Sequence, residues 1–436
     1  MADGGVSGSA VTALKAAFDD SLSSCLDGGT KPHSPTHLFT ALSGGPDSTA
    51  LACLTRDYAA TRGLRHTALI VDHGIRRGSA DEARRVAAGM RRLGVSVEIL
   101  SVGEDAPQTG LQAWARARRY ELMLGRVRRA RGCLLLGHHA GDQAETVMMR
   151  LSRGSGLVGL AAMKPVSWRA GVPVLRPLLG IARQALINHC HSCDAGFESD
   201  PSNFDNRFER VRVRAALAAL ERDGTGMSGR LSRLASAAGA IDRALLQALA
   251  DSGDLPMVQP SGHVLLPAGI TELPGTIRAR LLAHVIGQIG CPPTPPTTKA
   301  LRQLAGQLAA GCPATLGGTR FSHYQDGWLV TAEIGRRPPR ETVRAGERVI
   351  FAGVWTITSS MDAVIRHLGE AGSGAAGDWT GTPGWCALPS LVRRAMPVLE
   401  TLDGALVYPH LQLNDMGDEV AVAATARFLP PPTYRE

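Results

Sequence analysis

The sequence predicts an α/β fold: a parallel-sheet domain, then a mainly helical middle domain and a small α+β domain. Three observations lead there. From His37 to Arg153, short apolar runs alternate with longer stretches of helical periodicity. The first run, from Leu38, breaks at Ser43-Gly44-Gly45-Pro46-Asp47-Ser48 and resumes as an alanine- and leucine-rich helical pattern. With 436 residues and 44% apolar content, the chain is long enough for two or three separate cores.

Taken in order, residues 1–30 read as a loose extension with one short amphipathic helix around Val11–Leu26. The parallel-sheet domain is expected over residues 31–222. Its strands are Leu38–Leu42, His66–Val71, Val95–Val102 and Cys133–Leu136, and its helices run to Asp57, then over Asp81–Leu93, Leu111–Arg129 and Gly141–Arg153. After Val174–Arg176 and a helix from Ile181, Glu198–Asn206 is rich in turn residues and leads into an alanine-rich helix ending at Glu221. Gly224–Gly229 opens the helical middle domain, residues 223–335, which closes in a hairpin over Ala314–Ala332. Two prolines in Arg336–Arg340 mark a linker, and the α+β domain of residues 336–436 has β-rich segments at Arg348–Ile357 and Pro397–Tyr408.

The bulk composition excludes several classes. Eight scattered cysteines in a chain of this length do not make a disulfide scaffold and read as reduced thiols of a cytosolic protein. Met1–Asp20 has no basic segment followed by an apolar one, so it is not a secretory signal, and no apolar run approaches membrane-spanning length. The net charge of +8 says less than its distribution. Thr146–Cys193 holds no Asp or Glu but contains Arg150, Arg153, Lys164, Arg169, Arg176 and Arg183, a one-signed field that attracts phosphate.

Strand, glycine turn and helix start place several backbone N–H groups and a helix N-terminus at one spot, which binds anions. Gly44 and Gly45 let the backbone approach the ligand, Ser43 and Ser48 add hydroxyls, and Pro46 suits a first helical turn. An ordinary NTPase loop needs a lysine after its last glycine, and none of the four lysines follows one. Gly154-Ser155-Gly156-Leu157-Val158-Gly159 follows a helix rather than a strand, which speaks against a dinucleotide fingerprint. Ligands of parallel sheets sit at the carboxyl ends of strands, so SGGPDS, Asp72-His73 and His138-His139 should meet there. In Gly137–Thr146, Asp142 and Glu145 are three apart and share a helix face, where they suit an ammonium group, Mg²⁺, zinc with a histidine, or simply the helix dipole. Cys190-His191-Ser192-Cys193 is a lone CxxC without a second pair.

SGGPDS resembles the loop of the PP-loop ATP pyrophosphatases. The series continues with VDHGIR at Val71–Arg76, ARARRY at Ala115–Tyr120, HHAGDQAET at His138–Thr146, RGSGLVGL at Arg153–Leu160, RPLL at Arg176–Leu179 and DPSN at Asp200–Asn203. In that order the motifs resemble the tRNA(Ile)-lysidine synthetase family. The resemblance implies an adenine nucleotide alpha hydrolase-like, Rossmann-like fold. It implies a ligase that uses ATP and Mg²⁺, with tRNA(Ile) bearing a CAU anticodon and L-lysine as partners, no membrane, and a homodimer left open. ATP would adenylate the wobble cytidine, and lysine would replace AMP to give lysidine.

The resemblance also implies roles. Ser43, Gly44, Gly45, Pro46, Asp47 and Ser48 would cradle the phosphates, with Asp47 contacting Mg²⁺, and Asp72 and His73 would lie by the adenosine. Arg116 and Arg119 would contact the α-phosphate or the tRNA backbone, if they are not a solvated basic face. His138, His139, Asp142 and Glu145 would line the lysine and cytidine site, and Arg153, Gly154, Ser155 and Gly156 would close over the flipped base. DPSN with Arg210, Arg212 and Arg214 would order a loop and touch tRNA, unless it is a plain cap and helix. Gly141 stands where many members carry a second Asp, and Val211 where an Asn is frequent. The rival readings are a PP-loop tRNA thiolase and a non-catalytic tRNA-binding protein.

Overall fold

The computed structural model describes residues 8–29, 35–75, 78–103, 107, 109–169, 171–197, 209–222, 226–292, 295–335, 338–369, 387–409, 413–414 and 424–428. The chain divides into two compact units between Ala244 and Leu245.

In the first unit, α1 (Gly8–Gly29) precedes β1 (His37–Ala41), α2 (Pro46–Thr61), β2 (Arg65–Asp72), α3 (Ser79–Arg92) and β3 (Val97–Ser101). Next come α4 (Leu111–Arg129), β4 (Cys133–Leu135), α5 (Ala140–Ser152), α6 (Leu157–Leu160), β5 (Val166–Arg169) and β6 (Val172–Leu175). α7 (Arg183–Ser192), α8 (Glu209–Glu221) and α9 (Met227–Asp251) complete the order, and the division falls within α9. The six strands form one sheet in the order β3-β2-β1-β4-β6-β5. All neighbours are parallel except β5, which runs antiparallel to β6 at the edge. The parallel sheet is therefore as expected, but β5 is an addition the sequence reading did not contain.

Side chains alternate across a strand, so consecutive residues enter opposite cores. Leu38, Ala68, Ile70, Cys133, Leu135 and Leu175 pack with Leu51, Leu54, Ala87, Met90 and Leu186 of α2, α3 and α7. Their neighbours Phe39, Leu69, Leu134 and Val174 pack on the other face with Tyr120, Met123, Leu124 and Val127 of α4. Burying each such side chain stabilises the fold by about 1.5–3 kcal/mol, which holds the strand ends in register. α1 joins the first core through Leu14, Phe18, Leu22 and Cys25. The N-terminal helix is thus longer than expected and docked rather than loose, because one face carries an apolar stripe that the sheet's helices leave room to cover.

The second unit holds β7 (Val264–Pro267), α10 (Gly275–Ile289), α11 (Thr298–Ala309), β8 (Ala314–Leu316), β9 (Thr319–Tyr324) and β10 (Gly327–Ala332). It continues with β11 (Arg340–Val343), β12 (Arg348–Phe351), β13 (Trp355–Ser359), β14 (Ala363–His367), α12 (Ser390–Ala395), β15 (Pro397–Thr401), β16 (Leu406–Tyr408), β17 (Leu413–Asn414) and β18 (Ala424–Phe428). The hairpin expected over Ala314–Ala332 is three strands of a four-stranded sheet, β7-β10-β9-β8. Buried residues from Val264 to Ala424 form one continuous core. No helix among the described residues is long and apolar enough to cross a membrane.

Two polar pairs cross from β1 to β2. Thr40 Oγ1 lies 2.9 Å from His66 Nε2, and His37 Nε2 lies 2.9 Å from Thr67 Oγ1. Burial, reinforced by His37 and Arg56, pushes the His66 imidazole down to about 3. A base whose folded pKa is lowered stabilises the fold fully above its unfolded pKa, near 6.5, and loses that contribution as pH falls toward the folded value. Urea unfolding should therefore show stability falling below pH 6.5 by up to about 1.4 kcal/mol per pH unit from this residue. His66→Gln should flatten that slope; an unchanged slope in the variant would remove His66 as its source.

Candidate active site

β1 delivers the chain to SGGPDS with Gly44 at φ +84°, a conformation that glycine adopts freely. A Cβ at Gly44 would also lie 3.0 Å from Val86 of α3. The loop is closed by Ser48, whose Oγ accepts from Ser43 N–H at 3.1 Å and donates to Gly45 O at 3.0 Å. No side chain caps α2, and Pro46 occupies its first turn. The remaining N–H groups of that turn are thus left to bind an anion. Asp47 sits in the same turn with Oδ1 buried and without a hydrogen bond. Among the described residues Arg183 Nε, 3.4 Å away, is the cation paired with that oxygen.

At the end of β2, Asp72 Oδ1 accepts from Gly74 N–H at 3.0 Å and from Ser79 Oγ at 2.7 Å, tying the turn to α3. Arg119 of α4 donates from Nε and Nη2 to His73 Nε2, each at 3.4 Å. Burial, followed by Arg119, holds the His73 imidazole below its usual pKa, so at neutral pH it is an acceptor.

The turn after β4 runs against α2. A Cβ at Gly137 would lie 3.2 Å from Asp47 O and 3.3 Å from Ser48 N. His139 caps α5: its Nδ1 accepts from Gly141 N–H at 3.0 Å, while Asp142 Oδ2 accepts from His139 N–H at 3.1 Å. With Nδ1 accepting, the proton of the neutral ring lies on Nε2, 3.5 Å from Asp142 Oδ2 and 3.8 Å from Asp47 Oδ2. His139 therefore bridges the two carboxylate groups that the sequence places 95 residues apart. The space around it accounts for Gly141, since a Cβ there would come within 2.8 Å of the His139 ring.

Asp142 and Glu145 share the α5 face as expected, but arginines of α8 hold them. Arg210 donates from Nη2 to Asp142 Oδ1 at 2.8 Å and from Nε to Glu145 Oε2 at 2.5 Å. Arg214 Nε donates to Glu145 Oε1 at 2.6 Å. Glu145 is only 3% exposed, so this clasp neutralises a carboxylate that burial alone would penalise. Burial works to raise the Asp142 pKa, but His139 and Arg210 outweigh it and hold the carboxyl below its usual range. The neighbouring His138 is pushed down to about 4, chiefly by burial, with Asp142 opposing and Arg176 and Arg210 adding. Its Nδ1 is buried without a partner.

The glycine-rich segment after α5 is held at its two flanks. Arg153 pairs with Glu209, Arg150 donates to Ala162 O at 3.0 Å, and Gln143 exchanges two 2.8 Å hydrogen bonds with the Met163 backbone. Gly154 has φ +64°, and Ser155 and Gly156 lead into α6. Arg116 and Arg212 are exposed, on α4 and α8. DPSN and Arg76 lie outside the described residues. Sequence reasoning missed Gln143 and Arg183 as parts of the site. Arg183 was visible only as one member of the acid-free basic run, and Gln143 only as a letter inside HHAGDQAET. In the CxxC, Cys190 Sγ donates to Pro46 O at 3.4 Å beneath the loop, and Cys193 contacts His189. Among the described residues no group of three or more His, Cys, Asp or Glu side chains is placed to hold a metal ion.

The PP-loop domain family matches residues 17–221. The tRNA(Ile)-lysidine synthase of Ruegeria pomeroyi is 34% identical over 364 residues, covering 80% of this chain and 84% of that protein. The tRNA(Ile)-lysidine synthase of Methylobacterium nodulans is 36% identical over 344 residues, covering 74% and 95%. The protein of the same name from Thermobifida fusca is 39% identical over 305 residues, covering 68% and 91%. With that similarity spread over most of both chains, and with the loop, its carboxylate and the second acidic pair gathered at neighbouring strand ends, this chain belongs to the tRNA(Ile)-lysidine synthase family.

Proposed function

We propose that this chain is the ligase that joins L-lysine to C2 of the wobble cytidine of tRNA(Ile) with a CAU anticodon, at the expense of ATP. The observation that carries the reading is the pairing of an uncapped helix start with Asp47 Oδ1, a buried oxygen without a hydrogen bond. A triphosphate supplies the anion the first feature lacks.

In the first step the cytidine O2 attacks the α-phosphorus of ATP, the bond to the β-phosphate oxygen breaks, and pyrophosphate leaves. Backbone N–H groups of SGGPDS and the Ser43 hydroxyl bind the departing charge, which is where fixed dipoles lower a barrier most. Asp72 and His73 flank the adenosine, Arg119 serves the α-phosphate from beside His73, and Arg116 serves the α-phosphate or the tRNA backbone. A single carboxylate does not cage a cation, but Asp47 suits Mg²⁺, which takes one or two carboxylates together with phosphates and water. When bound, Mg²⁺ would neutralise phosphate charge at that place.

In the second step the lysine ε-ammonium gives a proton to a neighbouring carboxylate, the neutral amine attacks C2, the C2–O2 bond breaks, and AMP leaves with that oxygen. Asp142 stays ionised at neutral pH because of His139 and Arg210, so it suits the incoming ammonium. Glu145 acts beside it while fixing Arg210 and Arg214. His138 and His139 line the same face, the Arg153–Gly156 segment borders the base, and Arg210, Arg212 and Arg214 sit on the helix that follows. Residues 31–222 are the catalytic domain in this reading, and residues 223–335 the candidate tRNA-binding domain, with residues 336–436 beyond it.

Incubation with ATP, Mg²⁺ and purified tRNA should release pyrophosphate, and labelled lysine should then appear in the tRNA. Sulfur-dependent turnover instead would favour the thiolase, and binding without pyrophosphate a non-catalytic role. Asp47→Ala should slow pyrophosphate release by about 100-fold or more, since it removes charge stabilisation at the reacting phosphates. Glu145→Gln should reduce lysine transfer by about 100-fold while slowing pyrophosphate release by less than about ten-fold. Equal loss in both steps would take the lysine role away from Glu145.

A further inference from the structure

A second group of cations stands beside the site and is not used by the loop. Tyr120 of α4 is buried, with the Arg169 guanidinium carbon 3.9 Å from its ring centroid and that of Arg116 5.4 Å away. Arg169 ends β5 opposite Val172 at the start of the antiparallel β6, and Arg176 follows the other end of β6, the two side chains converging from there on Tyr120. Arg176 Nη1 donates to Lys164 O at 3.0 Å and to Ser167 Oγ at 2.9 Å, and its Nε is buried with no hydrogen bond. Neutral acceptors orient a guanidinium and leave its charge uncompensated. Among the described residues no carboxylate stands against it: Arg176 lies among Tyr120, Arg169, Arg116 and Cys25, and Thr146–Cys193 contains no acidic residue. An edge strand that delivers one arginine, a flat ring that stacks it, and a half-buried second arginine with a spare donor make a prepared oxyanion site.

We propose that Arg169 and Arg176, set around Tyr120 with Arg116, form a second phosphate-binding site that takes a phosphate ester, apart from the SGGPDS loop. The sheet order decides which ester it faces. β6 is separated from β1 by β4, on the flank opposite β2, where the adenosine is placed. A polynucleotide whose target base enters over β4 would bring its backbone phosphate there, so tRNA is the source the geometry favours. The inference rests on the lysidine-forming reading only for the identity of that polynucleotide.

The test titrates wild-type protein, Arg169→Ala, Arg169→Lys and Arg176→Gln with purified tRNA(Ile) at several salt concentrations, and separately with ATP. Loss of a backbone contact should weaken tRNA binding by about ten-fold in Arg169→Ala and Arg176→Gln and make the log–log salt slope shallower by about 0.7–0.9, with Arg169→Lys restoring most of the slope. Weaker ATP binding with unchanged tRNA binding would assign the phosphate to the nucleotide and keep the site. Unchanged affinity and slope for both ligands in folded variants would overturn it. Arg169→Ala guards against misfolding, since Arg169 is exposed and its contact is the Tyr120 ring. Wild-type protein that binds tRNA but transfers no lysine would sink the functional reading alone; wild-type transfer with indifferent variants would sink this site alone.

Discussion

The site depends on one close approach. The turn after β4 passes so near the first turn of α2 that a Cβ at Gly137 would lie 3.2 Å from Asp47 O and 3.3 Å from Ser48 N, tighter than ordinary van der Waals contact. That contact sets the HHAGDQAET segment against SGGPDS. It brings the His139 ring between Asp47 and Asp142, with Nε2 within 4 Å of both. A larger residue at 137 would push two strand ends apart, and chemistry that needs a leaving group and a nucleophile in one place tolerates little displacement.

Charge balance follows from that geometry. Carboxylates crowd the α5 face, and burying them requires partners, which α8 supplies through Arg210 and Arg214. Among the described residues no carboxylate pairs with Arg169 or Arg176, toward β5 and β6, and the loop at β1 presents N–H groups of an uncapped helix start. One half of the crevice is therefore self-neutralised and the other is left positive. In the proposed reaction a triphosphate and a polynucleotide would complete the second half, while a lysine ammonium would have to find its place among carboxylates already engaged by arginine. Competition for Asp142 and Glu145 would then make the arrangement of α8 relevant to the second chemical step.

The outer parts of the molecule serve this centre by packing. Alternate side chains of the central strands feed two separate cores, one under α1, α2, α3 and α7 and one under α4. That double burial fixes strand positions more tightly than either face would alone, and it explains why the parallel strands read as nearly continuous apolar runs. α4 is held along its apolar side and so presents Arg116 and Arg119 from a rigid base.

Much of this was written in local residue patterns. Short apolar runs and period-3.6 patterns located β1 to β4 and α2 to α5 to within a few residues, and a glycine turn followed by Pro46 and Asp47 marked an anion site, because those signals arise from backbone geometry. Other features carry no local signature. β5 is four residues long and exists through pairing with β6, and α1 docks only because a core lies beneath it. The clasp of Arg210 and Arg214 on Asp142 and Glu145, the bridge of His139, and the gathering of Arg169 and Arg176 around Tyr120 join residues far apart in the chain. Residue type and spacing determined which chemistry the protein carries; which arginine meets which carboxylate, and which is left for phosphate, was decided by strand order, since only the folded sheet sets distances between segments that the sequence keeps apart.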